Sequence, residues 1–223
     1  MKTRKKRSLY IAIGLITAFT VWTVAVCAVD VQVIGPRGSA VGFATINGFF
    51  HDLTGVHMLL YTITDWLGLV PLCFVMGFGL LGLAQWIARK DIRKVDFSIL
   101  TLGGFYIATM AVYVLFENVV INYRPVLIEG CLEVSYPSST TLLVLCVMPT
   151  AMMQLRDRIQ NQRLRNGVSA LITGFVIFMV VGRLISGVHW ISDIIGGILL
   201  SAGLVMLYRW VNKLPKRMVF TGK

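Results

Sequence analysis

Charge is what this sequence has least of. Of its 223 residues only 14% are Asp, Glu, Lys or Arg, with 10 acidic side chains and 3 histidines, while 57% are hydrophobic. A soluble domain carries about a quarter of its residues as charges. That class is excluded, and a mean hydropathy of +0.78 implies a membrane protein. The four cysteines (Cys27, Cys73, Cys131, Cys146) show no paired metal or redox spacing, and three lie in apolar stretches, so they read as packing residues. His51 and His57 suit neither a shared helix face nor a metal pair, and are expected to be interfacial polar groups. The ten methionines read as core filler. There is no internal repeat and no low-complexity segment.

What the chain does have is long apolar sequence. Windows nearly free of charge run at about 8–29, 66–88, 97–116, 138–155, 166–187 and 190–211, each near the roughly 20 residues of a spanning helix. The expected fold is all-α, a six-transmembrane-helix bundle forming one domain over residues 1–223. The fourth window starts polar and the fifth reaches Arg183. The first apolar run, of about 22 residues, exceeds the 7 to 15 of a signal peptide, so an anchored helix is expected rather than a cleaved leader. Val26 is too bulky for a lipoprotein reading of Cys27. Residues 30–65 form the one long external connection. Glycine and proline make its first half a loop, while Phe49, Phe50, Leu53, Val56, Met58, Leu59 and Leu60 suggest an interfacial helix roofing a lateral entrance for lipid. Trp66 and Trp190 near outer ends, and Trp86 and Trp210 near inner ends, match aromatic belts. Gly196, Gly197 and Ser201 read as close helix packing.

The net charge of +11 raises nucleic acid as a partner, but the positions of the charges argue against it. Eighteen of the 21 basic residues cluster before the first helix, after the second, after the fourth and at the chain end. All four clusters fall on one side of a six-helix topology, which the positive-inside rule makes cytoplasmic, together with both termini. Arg37, Arg124 and Arg183 fall on the other side and need separate explanations.

At that outer side four segments come together. The third helix leads into "FENVVINYRPVL" with Arg124, the fourth opens with "PSST", the fifth ends in "VGRLISGVHW" with Arg183, and the sixth opens with "HWISD". Charges at the edge of an apolar segment are costly unless paired or used. His189 and Asp193 are four residues apart, so on a helix they share a face and the carboxylate can accept a hydrogen bond from the imidazole. The other ring nitrogen is then free as nucleophile or base. The plainer alternative is an interfacial histidine capping a helix. Ser138 and Ser139 stand at a helix start, where spare N–H groups either are simply capped or form an anion site. With Arg124 and Arg183 they would surround a phosphoryl group.

"RP" at Arg124 and Pro125, "PSS" at Pro137 to Ser139, and "GRLISGVHWISD" from Gly182 to Asp193 resemble the three-part signature of the type-2 phosphatidic acid phosphatase superfamily. That signature is Lys-x6-Arg-Pro, Pro-Ser-Gly-His and Ser-Arg-x5-His-x3-Asp. The resemblance implies a membrane lipid phosphatase that uses no metal or other cofactor. In it His189 attacks phosphorus to form a phosphohistidine, Asp193 supports His189, and Arg124, Arg183, Ser138 and Ser139 hold the phosphate. The substrate implied is a membrane lipid phosphate or diphosphate reached from the bilayer, with the active site facing the exterior.

Three positions depart from the signature. Glu117 replaces the lysine, Gly182 replaces the serine before the arginine, and Ser139–Thr140 replaces Gly-His. The lost histidine is the family's general acid, and threonine cannot protonate a leaving oxygen near neutral pH. A lipid alkoxide, the conjugate base of an acid about as weak as water (pKa roughly 15.7), gains about 10² to 10⁴ from such an acid. A phosphate ester leaving from a diphosphate has a second pKa of about 6 and needs no proton. A polyprenyl-type diphosphate is therefore the expected substrate. Glu117 reads either as a substitute acid or as a partner of Arg124. Glu129, Glu133 and Tyr136 are further substitutes. The alternative function is a catalytically impaired relative that binds lipid phosphate or a membrane partner. A transporter fits less well, since no ionisable cluster lies near mid-membrane.

Overall fold

The computed structural model describes residues 2–213. Lys216, Arg217 and Lys223, members of the last basic cluster, lie outside them. Eight α-helices follow in order: α1 (Lys2–Ala28), α2 (Ala44–Thr54), α3 (Met58–Leu67), α4 (Leu69–Arg89), α5 (Phe97–Asn118), α6 (Ser139–Arg158), α7 (Gln162–Ile185) and α8 (Ile191–Asn212). Among the described residues five segments are long and apolar enough to cross a membrane: Lys6–Ala28, Met58–Arg89, Phe97–Asn118, Gln162–Ile185 and Ile191–Asn212. The chain is an all-α helical membrane bundle.

The sequence-based boundaries change in two places. The second span begins at Met58 rather than near 66, because Gly68 keeps helical angles (φ −59°, ψ −18°) and α3 runs on into α4. Thr62, Thr64 and Asp65 resemble a loop, but the two threonine hydroxyls donate to the carbonyls of Met58 and Leu60 one turn back. Their polarity is thereby satisfied inside the helix. The fourth expected span exists as α6, 20 residues long, but is not among the five apolar segments. Thr141, Thr150 and Gln154 are buried in it, since α6 packs against α4, α5, α7 and α8 and meets protein where the others meet lipid. A helix in that place need not be apolar all round.

α1 and α6 pack on α8. Phe19, Leu102, Phe105, Leu142, Cys146 and Tyr208 belong to the main core. At the end bearing the basic clusters, Gln154 donates to the Tyr208 hydroxyl (2.6 Å) and Arg89 pairs with Asp96 (2.9 Å), which joins α6 to α8 and α4 to the start of α5. Of the cysteines only Cys146 is buried; Cys27, Cys73 and Cys131 are exposed. An apolar stretch does not by itself separate a core position from one that faces lipid.

The opposite end of the bundle is built from loops folded back on one another. Residues 32–33 and 40–41 pair antiparallel (Gln32↔Val41, Val33↔Ala40), a small β-ribbon where a loop was expected. Asp30 then accepts from the amide of Thr45 (2.7 Å), closing the first turn of α2. Residues 119–138 form a second ribbon, bridged at Tyr123↔Val134 and Ile128↔Cys131 around a turn at Glu129 and Gly130, both at positive φ. Arg37 donates to the carbonyl of Gly130 (2.9 Å) and so ties the two ribbons together. That accounts for the first of the three outlying arginines. Trp190, expected in an aromatic belt, is instead buried, and its indole N–H donates to Tyr123 O (2.7 Å).

The turn from α7 to α8 depends on Gly187, which sits at φ +67° with its α-carbon facing the Gly55 carbonyl; a Cβ there would lie 1.9 Å from that oxygen. A left-handed conformation alone costs an L-residue roughly 1–2 kcal/mol, and the clash adds to it. Gly187→Ala is expected to lower the thermal midpoint of the detergent-solubilised protein. An unchanged melting curve would show that the turn adapts.

Candidate active site

The 119–138 ribbon brings several of the expected site groups to one end of the bundle. Its register sets Arg124 opposite Glu133 (Arg124 N–H to Glu133 O, 3.0 Å) and Asn122 opposite Ser135 (Ser135 N–H to Asn122 O, 2.9 Å). Arg124 comes up on one strand and Ser135 to Ser138 on the other, and α6 starts just beyond. The Ser138 N–H donates to the carbonyl of Asp193 (3.1 Å), which fixes the start of α6 on the first turn of α8. That amide is therefore occupied, and Ser138 offers its hydroxyl instead. Ser139 is the first residue of α6, so its amide has no intrahelical acceptor.

A cavity of about 570 Å³ opens here, walled by Arg124, Arg183, Ser139, Thr140, Tyr61 and Glu117 among others. Both guanidinium groups stack on the Tyr61 ring, with Cζ 5.0 Å (Arg183) and 5.7 Å (Arg124) from its centroid. Arg183 is 1% exposed. Its Nη1 donates to Thr64 Oγ1 and its Nη2 meets Asp65 Oδ1, each at 3.4 Å. Arg124 Nε lies at ion-pair distance (3.1 Å) from Glu133 Oε2. The expected Arg124–Glu117 pair is absent among the described residues. Glu117 lines the cavity, and Glu133 takes its place beside the arginine.

Ser138, His189 and Asp193 are not among the residues lining the cavity, and all three are buried. Asp193 is 0% exposed and four groups converge on its carboxylate. Oδ2 accepts from Ser135 Oγ (2.5 Å) and the Trp190 amide (3.0 Å); Oδ1 accepts from Asn122 Nδ2 (3.2 Å) and Ser192 Oγ (3.4 Å). The direct His189–Asp193 hydrogen bond expected from the spacing is not formed: Nδ1 and Oδ2 are 4.0 Å apart. Ser135 Oγ stands between them, 2.9 Å from His189 Nδ1.

Several buried polar atoms meet no hydrogen-bond partner among the described residues: His189 Nε2, Arg124 Nη1, Arg183 Nε and Ser138 Oγ. Buried polar atoms are almost always paired, so a cluster of donors and one imidazole nitrogen left open beside an arginine-lined cavity has the chemistry of an anion site. His189 lies between α7 and α8, outside the spanning segments. Burial, then the nearby Arg124 and Arg183 charges, hold its pKa well below the usual 6.5.

The sequence-based reading missed Tyr61, Thr64 and Asp65, because α3 was not read as part of the second span. It also missed Ser135, Asn122 and Asn47. Asn47 donates to Ser192 Oγ (2.9 Å) and accepts from the Ser192 amide (3.1 Å). Gly182 now has a reason: a Cβ there would be 2.9 Å from Thr64 Cγ2, so the missing serine makes room for the threonine that meets Arg183. Among the proposed substitute acids, Tyr136 turns away, its hydroxyl 2.7 Å from Thr23 Oγ1 on α1. The His51 ring packs against Trp190 at 5.5 Å, tilted by 57°, and His57 Nε2 meets Thr54 O at 2.9 Å.

The fold and the matched sequence define the class of protein. The family model of the PAP2 superfamily matches residues 100–216, and the chain belongs to that superfamily of membrane phosphatases. The crystal structure of the first transmembrane PAP2 type phosphatidylglycerolphosphate phosphatase from Bacillus subtilis is similar in fold. It gives a TM-score of 0.60 at 15% identity, over 90% of this chain and 94% of that one. No curated protein sequence matches the chain.

The depressed basicity of His189 has a direct readout. Below its ordinary pKa a free imidazole is mostly protonated, whereas one whose pKa is lowered stays neutral until the pH falls further. In 15N-histidine-labelled protein, the resonances lost in His189→Ala are expected to remain those of a neutral ring at pH 6. Titration near 6.5 would show the site to be hydrated and the arginines remote.

Proposed function

We propose that this protein is a membrane lipid phosphatase in which His189 Nε2 attacks phosphorus to form a phosphohistidine. One observation carries this reading: the charges of the cavity-lining Arg124 and Arg183 act on the buried His189 ring, and His189 Nε2, Arg124 Nη1, Arg183 Nε and Ser138 Oγ all lack a hydrogen-bond partner among the described residues. The arginines and the start of α6 bind the phosphoryl oxygens, and two fixed cations stabilise the charge that builds on them during transfer. The P–O bond to the lipid breaks as the P–N bond forms. Water then cleaves P–N and releases inorganic phosphate and the free histidine.

In this reading α6 is a sixth span, α2 lies in the interface, and the site faces the exterior. The orientation rests on the basic clusters at the opposite end of the bundle. α2 leaves Ile46, Phe49 and Leu53 exposed, as an interfacial helix does. An apolar cleft of about 550 Å³ between α4 and α5, lined by Phe78, Gly79, Gly82, Gly103, Gly104 and Ile107, continues the seam on which Leu72 and Tyr113 border the phosphate cavity. It offers a place for the lipid chain.

Brief reaction with a 32P-labelled lipid phosphate or diphosphate followed by acid-free quenching is expected to leave label on the protein, and His189→Ala to abolish it. If the wild type binds the lipid but takes no label, the catalytically impaired relative is the right description.

Thr140 lines the cavity where an acid would be needed, its methyl group turned toward Gly68. The leaving group must then depart without a proton, which favours a polyprenyl-type diphosphate over a monoester by about 10² or more. Turnover of matched monophosphate and diphosphate lipids by purified protein checks this; equal kcat/KM values would rule it out and point to Glu117 or Glu133 as donor.

A further inference from the structure

Ser135 is the only side chain hydrogen-bonded to both His189 and Asp193 among the described residues, and with Asp193 ionised the chemistry of these two partners leaves one way to place the protons. An ionised carboxylate only accepts hydrogen bonds. The 2.5 Å contact from Ser135 Oγ to Asp193 Oδ2 therefore uses the serine's one proton. The same oxygen, 2.9 Å from His189 Nδ1, has only lone pairs left to offer, so Nδ1 must carry a proton and donate it. In a neutral imidazole that leaves Nε2 as a lone pair, and Nε2 is the ring nitrogen that meets no hydrogen-bond partner among the described residues.

The carboxylate has no spare capacity to take over this role. Its Oδ2 already holds the Ser135 hydroxyl and the Trp190 amide; Oδ1 holds Asn122 and Ser192. Each donor is fixed from elsewhere. Asn122 Oδ1 accepts from the Gly42 amide (3.3 Å), and Asn47 grips both Gly42 O (2.7 Å) and Ser192. Ser135 itself is held by its amide on Asn122 O. A direct Nδ1–Oδ2 bond would require closing a 4.0 Å gap through the space the serine oxygen occupies.

We infer that Ser135 is a positioning residue of the phosphoryl-transfer reaction, a hydroxyl relay that sets the His189 tautomer and couples the imidazole to Asp193. The inference rests on the reading of His189 as nucleophile. When Nε2 gives its lone pair to phosphorus and the P–O bond to the leaving group breaks, the ring gains a positive charge. The Nδ1 proton stays in place, and the charge is felt by Asp193 through the polarised serine hydroxyl. When water cleaves the P–N bond, the electron pair returns to Nε2 with the tautomer unchanged.

Two readouts test it. The first does not require activity. In 15N-histidine-labelled protein, wild-type His189 should show a protonated Nδ1 and an unprotonated Nε2, Ser135→Ala should shift the ring toward the other tautomer, and Ser135→Thr, which restores a hydroxyl, should bring it back. The same tautomer in Ser135→Ala as in the wild type overturns the relay even if the protein proves to be a silent binder. The second uses lipid turnover. Ser135→Ala is expected to lower kcat by about 10- to 100-fold, taking as a guide the loss of a hydrogen-bond partner that orients a metal-binding histidine, with KM within about threefold. In an Asp193→Asn background the same change should cost almost nothing further, because the two act as a unit. Independent, multiplying losses in the double variant overturn the relay and leave Ser135 a packing residue. Loss of the phosphoenzyme in the wild type, with the tautomer shift intact, would sink the phosphatase reading and not the hydrogen-bond assignment.

Discussion

Among the described residues, a carboxylate with no Lys or Arg in contact with it sits at the centre of the loop-built end of this bundle. Asp193 is wholly buried and is held by neutral donors: a hydroxyl from the 119–138 ribbon, an amide side chain from the same ribbon, the Trp190 amide and a hydroxyl from the first turn of α8. Removing a charge from water is costly unless every acceptor site is filled, and here each oxygen receives two donors. The position within the first turn of α8 adds the favourable end of a helix dipole. Two ribbons, α2 and the start of α6 are all fastened to this group directly or at one remove. The fold of these loops is in that sense a solution to the problem of burying one negative charge.

The arginines face the reverse problem. Arg183 is as buried as Asp193, yet it is not paired with it. Stacking on Tyr61 and long contacts to Thr64 and Asp65 stabilise the cation without filling its hydrogen-bonding capacity. Each cation is thus held in position by groups that leave donors over. A site for a multiply charged anion has to be arranged this way, since donors saturated by the protein would have nothing to offer a ligand.

Much of this was legible in the residues. Apolar runs located five of the spans, because spanning a bilayer imposes a length and a polarity that few other constraints imitate. The third motif, from Gly182 to Asp193, pointed to Arg183, His189 and Asp193, which lie together at one end of the bundle, because spacing on and between helices is a one-dimensional property; the serine between His189 and Asp193 was not legible. What could not be read was contact across loops. The ribbon from 119 to 138 is fixed by two isolated bridges and a turn with Glu129 at positive φ, a conformation glycine or asparagine usually signals. Without that register, Ser135 is one hydroxyl in a run of several. The Thr62 to Asp65 stretch looked like a loop end because the acceptors of its hydroxyls are its own helix carbonyls. Trp190 looked like a belt residue because its partner, Tyr123 O, lies 67 residues away.

The ion pairs of the cavity carry a further consequence. Asp65 and Glu133, which accompany Arg183 and Arg124, are about half open to solvent, so water screens each pair from the carboxylate side. They are resident counter-ions of the two guanidinium groups. If the hollow takes a lipid phosphate as proposed above, the anion has to replace these carboxylates, and release of inorganic phosphate returns the guanidinium groups to them. The pull on a spent product would then be weaker than two unaccompanied arginines would exert.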